Sequence, residues 1–212
     1  MTRIVLVRHG QTAWNKEIRF RGQVDVPLNK FGLEQAEATG RYVAVRWPVA
    51  AVYASRMSRA MQTAEPIARA HGLTVQPLAG LLDVNCGEWG GLSPDEAAER
   101  DPDLLRAWYD APHTVQFPGG ENLIIVRERV LTGLEEVVVH HPGQTVALVS
   151  HSVVNRVLLC AVLGLGNDHF WRLQQDTCAV NVFDVKDGIS YDDWRAFTLV
   201  LMNDTCHLHR DL

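Results

Sequence analysis

The chain has 212 residues, 47% of them hydrophobic and 21% charged, an ordinary soluble composition with room for a substantial core. Its formal net charge of -5 disfavours nucleic acid and anionic membrane as partners, so any basic chemistry must come from a few convergent arginines. No stretch approaches the ~20 apolar residues of a membrane span, and the first apolar run is broken at Arg8, so the expected location is the cytoplasm.

Residues 3–7 (RIVLV) read as a buried strand that runs straight into Arg8, His9 and Gly10. A helical pattern follows over 30–47, then a strand over 50–55 (AAVYAS), a helix over 56–71 and a short strand over 73–77 (LTVQP). Residues 84–121 differ: they are rich in Gly, Pro, Trp and acidic side chains, with only brief helical stretches. Such a segment reads as a lid or pocket wall inserted in the domain. Beyond it lie a helix over 122–140, a strand over 145–150 (TVALVS), a helix stopping at Gly164, and a last pair of strands over 179–185 and 195–203. Strands alternating with helices predict one domain over 1–212, a three-layer α/β/α sandwich with a mainly parallel central sheet.

In open α/β sheets ligands sit beyond the carboxyl ends of the strands. Two predicted strands end on histidine, at Arg8-His9 and at His151. A third leads into Arg59 one helical turn past Ser55, and Asp83 stands just before a glycine-bracketed turn. Arginine offers a planar fork of donors suited to phosphate oxygens, and a neutral imidazole is a good nucleophile toward phosphorus. Arg8, Arg59 and His151 would stabilise charge on a transferring phosphoryl group, and Asp83 would protonate the leaving oxygen. Gly10 is expected to turn the chain and bring its amide near the ligand.

The blocks "RHGQT", "SRMSRAMQTA", "LLDVNCGEWGG", "FPGGE" and "LVSHS" resemble, in order, those of the histidine phosphatase superfamily. The resemblance implies a phosphoglycerate mutase-like fold and metal-free phosphomonoester hydrolysis. His9 would be the phosphorylated nucleophile, Arg8, Arg59 and His151 the phosphoryl clamp with Asn15 helping, and Asp83 the acid and then the base. Arg21 and Gly22 would line the pocket. The chain departs from the family where the acid block more often carries glutamate than Asp83, leaving Glu88 as a spare carboxylate. Arg21 stands where glutamine is common. Within the superfamily the metal-independent phosphoserine phosphatases are the most similar. Their tail returns to the site, which makes His207 a candidate substrate contact. No cofactor is implied; the expected partner is a small phosphorylated metabolite, and a homodimer is one assembly open to the chain.

Two other enzymes fit the same blocks, an α-ribazole phosphatase and a phosphoglycerate mutase. A binding module that holds phosphorylated ligands without turnover is the non-enzymatic alternative, and loss of His9 or His151 would be its signature. Dispersed histidines without close ligand pairs argue against a metal site. His71, His140 and His141 sit at predicted helix ends and read as structural. Cys160 and Cys178 read as buried small hydrophobes. Trp89, Trp108 and Trp171 are candidates for pocket wall or core.

Overall fold

A computed structural model describes residues 1–186, 188, 190 and 193–208. The apolar runs become six strands: β1 (Thr2–Arg8), β2 (Val49–Ala54), β3 (Val75–Pro77), β4 (Thr145–Ser150), β5 (Val180–Val185) and β6 (Phe197–Asp204). They form one sheet in the order β3-β2-β4-β1-β5-β6. β3, β2, β4 and β1 are parallel to one another, while β5 is antiparallel to both β1 and β6. The sheet is therefore mainly parallel, with β5 alone reversed.

Side chains alternate across β1 and show that both faces are covered. Ile4 and Leu6 join the larger core, while Val5 and Val7 join the smaller. On the smaller side lie α2 (Lys30–Arg46) and α3 (Ser58–Ala70), which follow the short α1 (Ala13–Glu17). The other side carries α6 (Leu123–His140) and α7 (Ser152–Val162), preceded by α4 (Pro94–Arg100) and α5 (Pro102–Asp110). Asparagines start two of the long helices. Asn29 accepts from the Gly32 amide at 2.8 Å, and Asn122 from the Ile124 and Ile125 amides. No helix among the described residues is long and apolar enough to cross a membrane.

One close approach near the head of β1 demands glycine. A Cβ on Gly32 would lie 2.1 Å from the Gln11 carbonyl oxygen, and one on Gly10 would lie 2.7 Å from the Gly32 oxygen. The loop after β1 is thus pressed against the first turn of α2, which fixes where the chain goes after His9. The segment over 84–121 is packed rather than loose. Trp89, Trp108 and Phe117 are buried, the Phe117 ring centroid lying 5.6 Å from that of Trp89 and 5.1 Å from that of Trp108, and Glu121 pairs with Arg129 of α6 at 2.8 Å.

Helix-end histidines have structural partners. His71 Nδ1 meets the Ile67 carbonyl at 2.8 Å, and His140 Nδ1 meets that of Glu136 at 2.7 Å. His141 bridges Tyr53 and Gln144. Cys160 and Cys178 are fully buried thiols.

Candidate active site

Strand register delivers the reactive side chains. Arg8 lies opposite Ser150 in the β1–β4 ladder, and the next step is a hydrogen bond from the His9 amide to the Ser150 carbonyl, 2.9 Å. His9 therefore leaves β1 beside His151, which follows β4 and opens α7. The same rim receives Arg59 from the second position of α3. Asp83 arrives from the loop between the 3₁₀ turns Ala79–Leu81 and Gly87–Trp89.

The two imidazoles are fully buried, with ring centroids 5.2 Å apart. His9 Nδ1 lies 2.7 Å from the Gly10 carbonyl oxygen, which can only accept, so Nδ1 carries the proton. His151 Nδ1 lies 3.2 Å from Arg59 Nε, which can only donate, so here Nδ1 is the acceptor. Burial and then the neighbouring His151, Arg8 and Arg59 push His9 well below its ordinary 6.5. Burial brings His151 down to about 3, with Arg59 and Arg21 adding to it against the pull of Asp83. Both rings are neutral at pH 7, in opposite tautomers. Nε2 of His9 is a bare lone pair, and Nε2 of His151 carries a hydrogen. Neither Nε2 has a partner in its buried position.

Guanidinium groups surround the pair. Arg59 is wholly buried and bonded to His151, to the Val24 and Gly22 carbonyls at 2.8 Å, and to Asp83 Oδ2 at 3.0 Å. Asp83 Oδ2 is also 3.4 Å from His151 Nδ1. Burial alone would raise the Asp83 carboxyl. His151, Arg59 and Arg21, with the Val84 amide, outweigh burial and hold it below the usual range. Arg8 donates to the Gln175 carbonyl at 2.5 Å and leaves its Nε unpartnered; burial, then Arg21 and Arg156, lower it to about 9. Arg21 likewise has an unpartnered buried Nε. Three orphaned buried donors, on Arg8, Arg21 and His151, are ones that an oxyanion of several oxygens would satisfy, and the fourth orphaned nitrogen, the His9 lone pair, is left for an electrophile.

Beside these groups lies a cleft of about 180 Å³, whose lining includes Arg21, Gly22 and Asp83 together with Trp108, Tyr109 and Trp171. Gly22 adopts φ +49°, and a Cβ there would lie 3.0 Å from the Val84 carbonyl oxygen, so the loop that hands its carbonyl to Arg59 needs glycine. Asn15 uses its amide oxygen to hold the turn after His9, accepting from the Thr12 amide at 2.9 Å.

Three expectations are corrected by the geometry. His207 does not reach the cleft: the 3₁₀ turn Cys206–Leu208 folds onto α2, where the His207 ring stacks on Tyr42 at 4.6 Å and its Nε2 meets Thr39 at 3.0 Å. (His209, the last residue of that tail block, lies outside the described residues.) Glu88 is no spare acid, because it is exposed and ion-paired with Arg100. The Gly10 amide is not offered to a ligand, since it donates to Thr63 Oγ1 at 3.0 Å.

Sequence reasoning passed over Gln175, which supports Arg8, and Arg156, which reaches the cleft from α7. Gln175 carries no motif. Arg156 had one signal, its i,i+4 spacing from Ser152, whose hydroxyl it meets at 2.6 Å. Trp108 and Trp171 serve the cleft wall, and Trp89 serves the core.

Comparison with known proteins agrees with this geometry. Residues 4–204 match the model of the histidine phosphatase superfamily, branch 1. The chain is 34% identical over 208 residues to phosphoserine phosphatase 1 of Hydrogenobacter thermophilus, a match covering 98% of this chain and 95% of that one. It is 34% identical over 160 residues to a metal-independent phosphoserine phosphatase of Arabidopsis thaliana, covering 74% and 67% of the two chains. The solved structure of the YhfR protein of Bacillus stearothermophilus superposes with a TM-score of 0.91 at 30% identity, covering 99% of this chain and 100% of that one.

The buried neutral histidines set a pH dependence of stability. Unfolding returns each imidazole to about 6.5, so below that pH the unfolded chain takes up protons that the folded chain refuses. Stability should fall as pH drops from 6.5 toward 4, by about 1.4 kcal/mol per pH unit for each ring. Asp83 acts lower: its depressed pKa adds stability above the ordinary carboxylate value that is lost as pH falls through the folded value. Denaturant titrations across pH 4.5–6.5 should give a His9→Gln slope shallower than wild type by about one proton; identical slopes would contradict the neutral assignment.

Proposed function

The chain belongs to branch 1 of the histidine phosphatase superfamily and is a metal-independent phosphatase, and from that premise we propose that it hydrolyses phosphoserine through a phosphohistidine formed on His9. The observation that carries this reading is the bare Nε2 of a neutral His9, buried opposite the Nε2–H of His151 inside a ring of arginines.

In the first step the His9 lone pair attacks phosphorus in line with the ester oxygen. The P–N bond forms as the P–O bond to serine breaks, and the Nδ1–H bond to the Gly10 carbonyl stabilises the positive charge left on the ring. Arg8, Arg59, Arg21 and the His151 Nε2–H share the negative oxygens of the transferring group. Asp83 gives the departing alkoxide its proton. In the free enzyme this carboxyl is held ionised by the surrounding positive field. A dianionic phosphoryl group cancels much of that field and raises the proton affinity of Asp83, so that the carboxylate takes up a proton from solvent as the ester binds and passes it to the leaving oxygen. In the second step Asp83, now the carboxylate, takes a proton from water as its oxygen attacks phosphorus and the P–N bond breaks. His9 returns to its starting tautomer. A pure binding module has no use for a nucleophilic nitrogen kept neutral in this way.

Phosphoserine is the substrate named for two of the relatives. Purified protein should release inorganic phosphate from L-phosphoserine in the presence of EDTA, and faster than from 3-phosphoglycerate; a panel in which 3-phosphoglycerate or a nucleotide monophosphate is preferred would displace phosphoserine. Asp83→Asn should slow phosphoserine hydrolysis by about 100-fold or more, and p-nitrophenyl phosphate far less because its leaving group needs little protonation. Equal losses on both esters would remove the acid role from Asp83.

A further inference from the structure

Arg156 stands on α7 one turn past Ser152 and is built into the cleft wall. Its Nε donates to the Leu173 carbonyl at 2.7 Å and its Nη1 to Ser152 Oγ at 2.6 Å, while the guanidinium carbon lies 4.9 Å from the Trp171 ring centroid and 5.4 Å from that of Phe170. Two anchors and two rings hold the group rigid, and Nη2 is left without a hydrogen bond among the described residues. Burial lowers its pKa only to about 10, so it remains a cation at neutral pH.

The charges around the cleft do not balance. Arg59 is paired with Asp83, and Arg19 with Glu17 and Glu96. Among the described residues, Arg8, Arg21 and Arg156 have no carboxylate within ion-pairing distance. Asp176 acts on Arg8 and Arg156 from farther away, with its carboxylate tied to Gln174 and Asn203. A phosphoryl dianion answers Arg8 and Arg21. The third cation, Arg156, stands in the cleft lining with Trp108, Tyr109 and Trp171.

We propose that Arg156 is the specificity-determining residue for the leaving group, binding a carboxylate carried by the alcohol portion of the substrate. The inference rests on the phosphomonoesterase reading above and narrows it to acidic phosphomonoesters. Nη2, the guanidinium nitrogen with no hydrogen bond among the described residues, keeps N–H donors for a carboxylate on a group that its anchors and the two rings hold in place, and a flexible lysine at the same point has no such anchoring.

The test is kcat/KM for two carboxylated esters, L-phosphoserine and 3-phosphoglycerate, and two that lack the carboxylate, O-phosphoethanolamine and glycerol 3-phosphate, in wild type, Arg156→Met and Arg156→Lys. Wild type should prefer the carboxylated member of each pair. In Arg156→Met that preference should shrink by about 10- to 100-fold, the worth of a charge-assisted hydrogen-bonded contact. Arg156→Lys should recover only part of it. If Arg156 merely braces the Leu173 segment, both variants lose rate on all four esters alike and the preference survives, which would overturn the proposal. A wild type without preference for the carboxylated esters would overturn it as well, whether or not either variant folds. If 3-phosphoglycerate shows the Arg156-dependent preference while L-phosphoserine is not turned over, the phosphoserine reading falls and the role of Arg156 stands.

Discussion

The hydrogen bond from the His9 amide to the Ser150 carbonyl, the first one past the paired ends of β1 and β4, sets everything that follows at the site. It brings two imidazoles off neighbouring parallel strands into one buried recess, where neither can be solvated as a cation. Each ring must then be neutral, and its proton is placed by its nearest fixed neighbour. A carbonyl oxygen decides the matter for His9, a guanidinium nitrogen for His151. Two chemically identical side chains thus leave the fold as complements, one presenting a lone pair at Nε2 and the other an N–H.

The same burial explains why the recess is cationic yet stable. Arg59 spends four of its five N–H donors on two carbonyls, on His151 and on Asp83, so its buried charge is well compensated while one donor stays available. Arg8 and Arg21 keep unpartnered nitrogens, which is the cost of holding a site ready for an anion. Binding that anion repairs the deficit and in doing so changes the proton affinity of Asp83. In the proposed reaction, recognition and acid catalysis are therefore coupled through one electrostatic field.

Much of this was legible in the sequence. Continuous apolar runs that end in Arg8-His9 and Ser150-His151 read as strands covered on both faces, and residues at the carboxyl ends of parallel strands meet at one rim. The helix start at residue 30 and the stop at Gly164 fall where the structure has them. What stayed hidden depends on contacts between distant segments. The reversal of β5 leaves no mark in a strand buried on both faces. His207 resembles a substrate contact in sequence, but the Tyr42 ring offers it a stacking partner on α2. Gln175 supports Arg8 through its backbone carbonyl, and a carbonyl has no residue type to read. Arg156 looks like an ordinary helix arginine until the Trp171 ring and the Leu173 carbonyl are seen to hold it.

The central claim is that phosphorus passes through the ring nitrogen of His9. Rapid acid-free quench of the protein during turnover of [32P]phosphoserine, followed by alkaline peptide mapping, measures this directly. Label should appear on the peptide that contains His9, be stable in base and labile in acid, and be absent from a His9→Ala variant that retains the wild-type fold. Product accumulating at the wild-type rate while that peptide stays unlabelled would contradict the account.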